Sequence, residues 1–397
     1  MKIFFLSYWF PYPPDNGSKI RVLNFIKALG ERNEVHLLSL VTGEPDPRHV
    51  NVLRNYCRTV STHPMPCDQS GLRAYAGLFS RRPRSVVSRF DPALYQSVQE
   101  SIKHIKPDVI VVSMVDVAEY VLLEGRTIPS VLIDHNCEFF VIQRRGALAI
   151  SPFTRLRYAL TWRKYAAWEA KVCRQFDRVI MATEVDRRRM QEFCGLVDNI
   201  DVIPNAADTE HYDDSRWLPE AELLVYTGSL GYSANLDAVM YYKEEIMPLV
   251  RESYPNVQLL VTGRYGSAEV DGIGKCAGIR LTGYVDDIRD VLCRASACIV
   301  PLRQGGGMRL KIPEAMAAGV PVVATSVGVE GLSCTHGEHL LIGDTPEEFA
   351  AGIVRVLGDR TLAERLRENA RRLVEERYSW RSSAGRFARL VESMVPQ

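Results

Sequence analysis

Residues 297–319 read ACIVPLRQGGGMRLKIPEAMAAG, and their pattern predicts a strand, a loop and a short helix in succession. The apolar run ACIV is typical of a buried strand, and the three glycines after it are typical of a loop. Pro313 falls in the first turn of the predicted helix and Gly319 at its C-terminal end, where these residue types are favoured. A strand that leads through a loop into a helix is the repeating unit of α/β folds.

The same stretch has the chemistry of an anion-binding site. Glycines allow backbone amides to approach phosphate oxygens, a helix N-terminus adds partial positive charge, and Arg309 and Lys311 add full charges. Glu314 would repel phosphate, so its carboxylate is better suited to accept hydrogen bonds from sugar hydroxyls. Together these residues predict a site for a nucleotide-diphosphate-sugar. An ordinary turn, in which Glu314 only favours the helix dipole, remains an alternative.

Strands alternate with helices on both sides of this stretch, which predicts doubly wound parallel sheets. In the N-terminal half, strand patterns cover residues 2–6, 34–40, 109–112, 131–134 and 178–182. The pattern pauses near residues 202–205 and restarts with strands at 223–226, 258–262, 280–281, 297–300 and 320–324.

We therefore expect two Rossmann-like domains. The first, residues 1–200, is expected to bind the acceptor, and the second, residues 201–378, the nucleotide-sugar. Residues 379–397 form a helical pattern with Trp380, Phe387, Leu390 and Val391 on its apolar face, which could pack back on the first domain.

Composition agrees with a two-domain globular protein. The chain has 397 residues, of which 46% are hydrophobic and 24% charged, enough to bury two large cores. Nine scattered cysteines without a C-x-x-C pair suggest neither a disulfide framework nor a zinc site, and a reducing cytoplasm fits best. No stretch reaches the roughly 18 to 20 apolar residues that a membrane span requires.

Charge is distributed unevenly. Residues 1–200 hold 28 Lys and Arg against 20 Asp and Glu, and the remainder holds 21 against 28. Much of the excess lies in residues 141–175, where eight basic residues and several aromatic ones accompany a single acid, Glu169. Such a stretch could contact an anionic membrane surface, although a long packing helix with solvated arginines is the commoner explanation. No nucleic-acid-binding signature accompanies the charge.

Four landmarks resemble one known family over nearly the whole chain, the retaining GT-B glycosyltransferases of family 4, or group 1. They are residues 7–21, ending in GSKIR; VIPN at 202–205; LTGYV at 281–285, followed by two aspartates; and EAMAAGVPVVAT at 314–325. The resemblance implies two Rossmann-like domains that face each other across a cleft.

The resemblance also implies roles for particular residues. Gly17 would lie in the loop that approaches the donor phosphates and sugar, although a glycine that only caps its helix is nearly as good an explanation. Tyr284 and Val285 would lie against the nucleobase, and Glu314 would accept hydrogen bonds from the ribose hydroxyls.

Two departures from the family pattern concern the donor site. Family members usually place an acid eight positions before the ribose glutamate, to contact the donor sugar, and here that position is Gly306. We expect the backbone amides of Gly306 and Gly307 to hold the sugar or the distal phosphate instead.

The second departure is a loss of positive charge. Family members usually carry an Arg and a Lys for the diphosphate where this chain has residues 227–230 and then Ala234 and Asn235. We expect Arg309 and Lys311 to take over this role, because a diphosphate needs compensating donors. A solvated pair of cations at a helix start is the alternative.

His135 is the remaining candidate for chemistry, because it follows a predicted strand at the edge where open α/β sheets bind ligands. In the family, a histidine at a comparable place contacts the donor sugar or acts near the reacting centre. Asp134 or Glu138 could orient its ring. A structural histidine bonded to neighbouring carbonyls is the alternative.

The predicted reaction is transfer of a sugar from a nucleotide-diphosphate-sugar to an acceptor hydroxyl, with retention implied by the resemblance. We expect no metal and no cofactor beyond the donor substrate, since no D-x-D follows a strand. The enzyme is expected to act in the cytoplasm, in glycoconjugate synthesis, on a saccharide, a lipid-linked acceptor or another hydroxyl acceptor. Two alternatives remain: a nucleotide-sugar 2-epimerase of the same architecture, which should show acid and base groups in the cleft, and a non-catalytic nucleotide-sugar-binding protein.

Overall fold

The chain folds into two compact α/β units. The computed structural model describes residues 1–66, 80, 82–122, 127–147, 151–195, 198–212, 217–266 and 272–395. The first unit comprises Met1–Pro204 together with Ser383–Gln397, and the second comprises Asn205–Ser382.

The first unit is built on a parallel sheet of seven described strands in the order β3-β2-β1-β4-β5-β6-β7. This order reverses between β1 and β4, so the carboxyl ends of these two strands form the switch point where such sheets bind ligands. The strands are β1 (Lys2–Ser7), β2 (Glu34–Val41), β3 (Thr59–Pro64), β4 (Val109–Ser113), β5 (Ser130–Ile133), β6 (Arg178–Met181) and β7 (Ile200–Val202).

Helices cover both faces of this sheet, which explains why its central strands are apolar throughout. They are α1 (Gly17–Gly30), α2 (Pro47–Arg54), α3 (Arg84–Arg89), α4 (Pro92–Ile105), a 3₁₀ helix (Val115–Val121), α5 (Glu138–Ala147), α6 (Pro152–Cys173) and α7 (Glu184–Cys194). In β4 every residue is buried.

The second unit repeats the architecture with six described parallel strands in the order β10-β9-β8-β11-β12-β13. Its switch point lies between β8 and β11. The strands are β8 (Leu223–Thr227), β9 (Gln258–Thr262), β10 (Ile279–Gly283), β11 (Ala297–Val300), β12 (Val322–Ala324) and β13 (Leu341–Ile342).

The helices of the second unit pack on this sheet around one continuous apolar core. They are α8 (Ser233–Tyr241), which continues through a π-helical turn (Tyr242–Ile246) into α9 (Met247–Ser253), then α10 (Arg289–Leu292), α11 (Lys311–Ala317), α12 (Pro346–Gly358) and α13 (Arg360–Arg377). The last helix, α14 (Trp380–Glu392), belongs from Ser383 onward to the first unit. None of the described helices is long and apolar enough to span a bilayer.

The end of the chain packs on the first unit. The ring of Phe387 in α14 stacks on that of Phe25 in α1, with the centroids 4.0 Å apart, and Asn33 Nδ2 donates to Glu392 Oε1 at 3.0 Å. Of the apolar face expected for this helix, Phe387 and Val391 are fully buried, whereas Leu390 is only partly covered.

Parallel sheets in two units confirm the predicted fold class. Three described strands, Thr59–Pro64, Ile200–Val202 and Leu341–Ile342, were not expected. The first lies at a sheet edge and is largely polar, and the other two are only three and two residues long, so none carries the apolar run that marks a central strand.

Candidate donor and acceptor sites

The triple glycine lies in a loop at the switch point of the second unit. β11 ends at Val300 and α11 begins at Lys311, so three residues separate Gly307 from the helix. This is the predicted order of strand, loop and helix. Gly305 and Gly307 have φ angles of 121° and 71°, which are incompatible with a right-handed helix and keep the glycines in the loop.

Arg309 braces this loop. Its Nη1 donates to the carbonyl oxygens of Gly306 and Gly307, the latter at 2.7 Å. A side chain at Gly305 would place its Cβ 2.7 Å from Nη2 of the same arginine, so the close approach requires glycine there. The guanidinium therefore lies against the backbone that was predicted to hold an anion.

The amine of Lys311 lies in a largely enclosed position between the ends of β8 and β11. Its Nζ is 3.0 Å from Asn235 Oδ1 and 3.8 Å from the centroid of the Tyr226 ring. The pKa of Lys311 is lowered to about 7, mainly by burial and also by the charge of Arg309, while Glu314 opposes the shift. Binding of an anion would stabilise the charged form.

Asn235 connects Lys311 to the loop after β8. Its Oδ1 accepts hydrogen bonds from Lys311 and from the hydroxyl of Tyr226, the latter at 2.7 Å, and its Nδ2 donates to Ser229 O at 2.7 Å. Gly228, with a φ of 140°, lies next to Lys311, since a Cβ added to this glycine would be 3.0 Å from Lys311 Nζ. Neither Asn235 nor Tyr226 was predicted as a partner of Lys311.

Glu314 follows Lys311 by one helical turn and is partly buried. Burial raises its pKa to about 7, with Lys311 opposing the rise. Among the residues that the structure describes, none donates a hydrogen bond to this carboxylate. A partly buried acid without a protein donor is costly to maintain unless it has a ligand to bind.

Tyr284 and Val285 follow directly after β10, whose register with β9 shifts between Leu281 and Gly283. The Tyr284 ring is 52% exposed, and the Arg264 guanidinium lies 5.2 Å from its centroid. An exposed ring at the carboxyl edge of the sheet is available for stacking.

In the first unit, Gly17 is the first residue of α1 and Asn16 is its N-cap, with Oδ1 accepting from Lys19 N at 3.0 Å. The explanation of Gly17 as a capping glycine is therefore wrong, because Asn16 does the capping. The same helix carries Arg21, which is fully buried.

His135 lies just beyond the end of β5 and is 8% exposed. Its Nε2 is 2.9 Å from Ser113 Oγ at the end of the neighbouring strand β4. Burial, together with the charge of Arg21, lowers the pKa of His135 to about 3, so the ring is neutral at ordinary pH. Ser113, rather than Asp134 or Glu138, is the hydrogen-bond partner in the described part of the chain, and the sequence analysis missed it.

Asp134 belongs to a buried pair of carboxyl groups with Glu169. The Glu169 oxygens accept from the backbone N–H groups of Glu138 and Phe139, both at 3.2 Å, at the start of α5. Burial raises the pKa of Asp134 to about 8 and also raises that of Glu169, so the pair retains a proton at neutral pH. The sequence analysis treated Glu169 only as the one acid of a basic stretch.

Comparison with known proteins places both units in one family. Residues 15–211 match the family described as Glycosyltransferase Family 4, and residues 221–359 match the one described as Glycosyl transferases group 1. The chain is a family 4, group 1 glycosyltransferase. It transfers sugars from nucleotide sugars, which confirms the predicted enzyme class and decides against the epimerase and the non-catalytic binding protein.

This glycosyltransferase is similar to proteins of several organisms. A protein of Klebsiella pneumoniae, described as an uncharacterized 44.6 kDa protein in the cps region, is 22% identical over 95% of this chain and 96% of its own. The phosphatidyl-myo-inositol mannosyltransferase of Mycobacterium tuberculosis is 28% identical over 54% of this chain and 59% of its own. Anabaena HepE, solved with UDP-glucose, shares the fold with a TM-score of 0.69 at 16% identity, over 99% of this chain and 100% of its own.

Proposed function

We propose that the glycosyltransferase binds the diphosphate of its donor at Lys311 and transfers the sugar to an acceptor hydroxyl with retention of anomeric configuration. The observation that carries this proposal is the position of the Lys311 amine at the switch point between β8 and β11, beside Asn235. Cations at this edge of a parallel sheet bind phosphate groups. Lys311 thus replaces the cations that family members usually carry after the first strand of this unit.

The glycine loop completes the proposed phosphate site. Arg309 holds the carbonyl groups of Gly306 and Gly307. In this proposal the amides of these two glycines donate to the distal phosphate or the sugar, in place of the acid that is absent at Gly306. Arg309 adds charge from behind the loop, because its guanidinium stays protonated at any physiological pH.

Glu314 is proposed to accept hydrogen bonds from the ribose hydroxyls, and Tyr284 and Val285 to contact the nucleobase. The carboxylate has no donor among the described residues, and the ring of Tyr284 is half exposed, so both side chains are available to a ligand. For the first unit, the family resemblance supports contacts of Gly17 and His135 with the sugar end of the donor.

The proposed catalysis rests on charge stabilisation. Departure of the nucleoside diphosphate leaves negative charge on its distal phosphate, and Lys311 and Arg309 offset it. The neutral His135 can exchange a hydrogen bond with a sugar hydroxyl, whereas its lowered pKa makes it a poor proton carrier. We propose that the leaving phosphate accepts the acceptor's proton, so that neither a metal nor an enzyme nucleophile is needed.

The acceptor is proposed to be a saccharide or a lipid-linked hydroxyl used in polysaccharide or other glycoconjugate synthesis, in the cytoplasm. The Klebsiella relative from a cps region supports polysaccharide synthesis, and the mycobacterial relative named for a phosphoinositide lipid supports a lipid acceptor. UDP is the first nucleotide to test, because HepE was solved with UDP-glucose.

A thermal-shift panel of UDP, GDP, ADP and TDP tests the donor site, because a ligand that binds the folded state raises the melting temperature. We expect one nucleotide to stabilise the enzyme and Lys311→Ala to abolish that shift. Lys275→Ala, which removes an exposed lysine of the same unit, is the matched control and should leave the shift intact. An undiminished shift in Lys311→Ala would refute the phosphate role.

The variant Glu314→Gln tests the proposed ribose contact independently of the phosphate contact. The variant should lose affinity for the ribonucleotide by about tenfold, because a charged acceptor contributes roughly 1.5–3 kcal/mol to a hydrogen bond. Its affinity for the matching 2′,3′-dideoxynucleotide should equal that of wild type. Equal losses for both nucleotides would show that Glu314 does not contact the ribose.

A further inference from the structure

The N-terminal half of α6 carries an exposed apolar stripe. Phe153, Leu156 and Leu160 are 78%, 59% and 64% exposed, and their spacing of three and four residues places them on one side of the helix. One exposed leucine is ordinary on a protein surface. Three large apolar side chains in a row mark a surface that another body covers.

Cations border this stripe. With about 100° of rotation per residue, Arg157 and Arg163 lie roughly 60° to either side of it, and Lys164 continues it by one turn. The Arg163 guanidinium lies 4.8 Å from the Trp162 ring centroid. The one acid in the sequence of α6, Glu169, is fully buried, so the exposed side of this helix carries cations and no carboxylate of its own.

The stripe lies beyond the carboxyl edge of the first unit's sheet. α6 is about 33 Å long and leads into the amino end of β6, whereas β5 and β6 are each about 13 Å long. Only its C-terminal half, from Tyr165 onward, is buried. The N-terminal half therefore extends past the sheet and pairs with α5, where a Cβ added at Gly146 would be 2.6 Å from the Cβ of Tyr158.

We infer that this face of α6 binds the surface of an anionic lipid bilayer. Apolar side chains flanked by cations on a helix match the interface, because the former enter the acyl boundary while the latter meet the phosphate headgroups. A second copy of the chain fits less well. Two-fold pairing of the stripe would bring the arginines and Lys164 of one helix against those of the other.

The position of the stripe also indicates the acceptor class, a step that rests on the proposed function. His135 lies at the same carboxyl edge of the sheet from which the α5–α6 hairpin extends. A bilayer bound to the hairpin brings lipid-linked hydroxyls to that edge. The acceptor is therefore a lipid-linked saccharide or glycolipid rather than a freely soluble sugar.

Flotation of the full-length protein with vesicles tests the surface. Vesicles of phosphatidylcholine with about one third phosphatidylglycerol should carry the enzyme upward, whereas pure phosphatidylcholine should carry much less, and added salt should weaken the binding. The variant Leu156→Gln with Leu160→Gln should bind at least about tenfold more weakly. Arg157→Gln with Arg163→Gln should lose the preference for the anionic lipid.

The matched control is Leu218→Gln, which removes a 78% exposed leucine of the second unit and should leave vesicle binding unchanged. A melting temperature close to that of wild type, measured without nucleotide, shows that each variant is folded. Equal flotation of the leucine variant and wild type would overturn the inference, as would a wild-type dimer in sedimentation that this variant breaks. If neither UDP nor the other nucleotides bind while the vesicles do, the proposed donor site is refuted and the inferred membrane-binding surface is still supported.

Discussion

The Nζ of Lys311 lies 3.0 Å from the Oδ1 of Asn235, although 76 positions separate the two residues in the chain. Lys311 begins the helix after β11, and Asn235 lies in the helix after β8. The contact therefore joins the two helices that follow the strands on either side of the switch point of the second unit. By the family resemblance, Asn235 stands in the segment where a cation is usual, and in the proposed donor site Lys311 supplies that charge from the start of α11 instead.

Moving the positive charge from Lys311 in α11 to position 235 in α8 should restore donor binding. Lys311→Ala removes it, and the double variant Lys311→Ala with Asn235→Lys returns an amine to within a few ångströms of the same point. We expect the single variant to show no nucleotide-induced thermal shift and the double variant to recover part of it. Asn235→Lys alone should bind more weakly than wild type, because two amines would share one enclosed space. If the folded double variant showed no nucleotide-induced thermal shift, a positive charge at this point would not be sufficient for donor binding.

Gly228 should tolerate no side chain. Its φ of 140° strains any other residue, and a Cβ would lie 2.8 Å from Asn235 Nδ2 and 3.0 Å from Lys311 Nζ. Gly228→Ala should therefore displace Lys311 and weaken nucleotide binding by about tenfold or more, measured by titration calorimetry. Gly266→Ala is the matched control, since a Cβ there meets nothing within 4 Å. Similar affinities for the two variants would contradict the described geometry.

Donor affinity should be greatest near pH 7. Burial lowers the pKa of Lys311 to about 7, so its amine loses charge as the pH rises and the diphosphate loses a partner. Burial raises the pKa of Glu314 to about 7, so its carboxylate is protonated as the pH falls and the ribose loses an acceptor. The two groups titrate as a pair, and the affinity curve for UDP-glucose, whose phosphates do not titrate in this range, should fall on both sides.

The variant Lys311→Arg tests the upper side of this curve. A guanidinium stays charged throughout the range, so affinity should no longer fall above pH 7, whatever its absolute value. If the affinity of this variant still fell above pH 7 as in wild type, a group other than Lys311 would be responsible for that fall.

Much of this architecture could be predicted because buried parallel strands are apolar on both faces, as in β4 and β11. The loop at residues 305–307 could be predicted as well, since consecutive glycines are disfavoured within helices and strands. What could not be predicted was which side chains meet across the fold. Ser113 and Asn235 are ordinary polar residues in the sequence, and only the order of the strands places them beside His135 and Lys311.

Burial of Glu169 was likewise beyond the sequence pattern. Its helix is basic and aromatic along its whole length, so the pattern gave the one acid no particular position. The first half of α6 extends beyond the sheet and the second half packs on it, and Glu169 lies in the second half. Periodicity describes which residues share a side of a helix, but not where along the helix the core begins.

His135 should be needed for transfer but not for nucleotide binding. His135→Ala should lower the turnover of the nucleotide-sugar donor by about a hundredfold, within the range of a positioned polar group, while the thermal shift with the nucleoside diphosphate persists. Ser113→Ala should give a smaller loss, because it removes only the 2.9 Å hydrogen bond that orients the ring. The low pKa of His135 predicts no activity change from this residue between pH 5 and pH 8. A pH profile that flattens in His135→Ala would contradict its neutral state.

Glu169 should matter through its hydrogen bonds rather than its charge. Glu169 accepts the hydrogen bonds from the N–H groups of Glu138 and Phe139 on different oxygens, so Glu169→Gln keeps one acceptor and turns an NH2 donor toward the other N–H group. This variant should lower the free energy of unfolding by about 1–2 kcal/mol. Glu169→Ala leaves both donors unsatisfied and creates a cavity, so it should cost about 3 kcal/mol or more in the urea transition of the first unit. Glu364→Ala, which breaks an exposed pair with Arg360, should cost no more than about 0.5 kcal/mol. If the glutamine variant were as unstable as the alanine variant, the retained oxygen would add no stability, and the role proposed for these hydrogen bonds would be refuted.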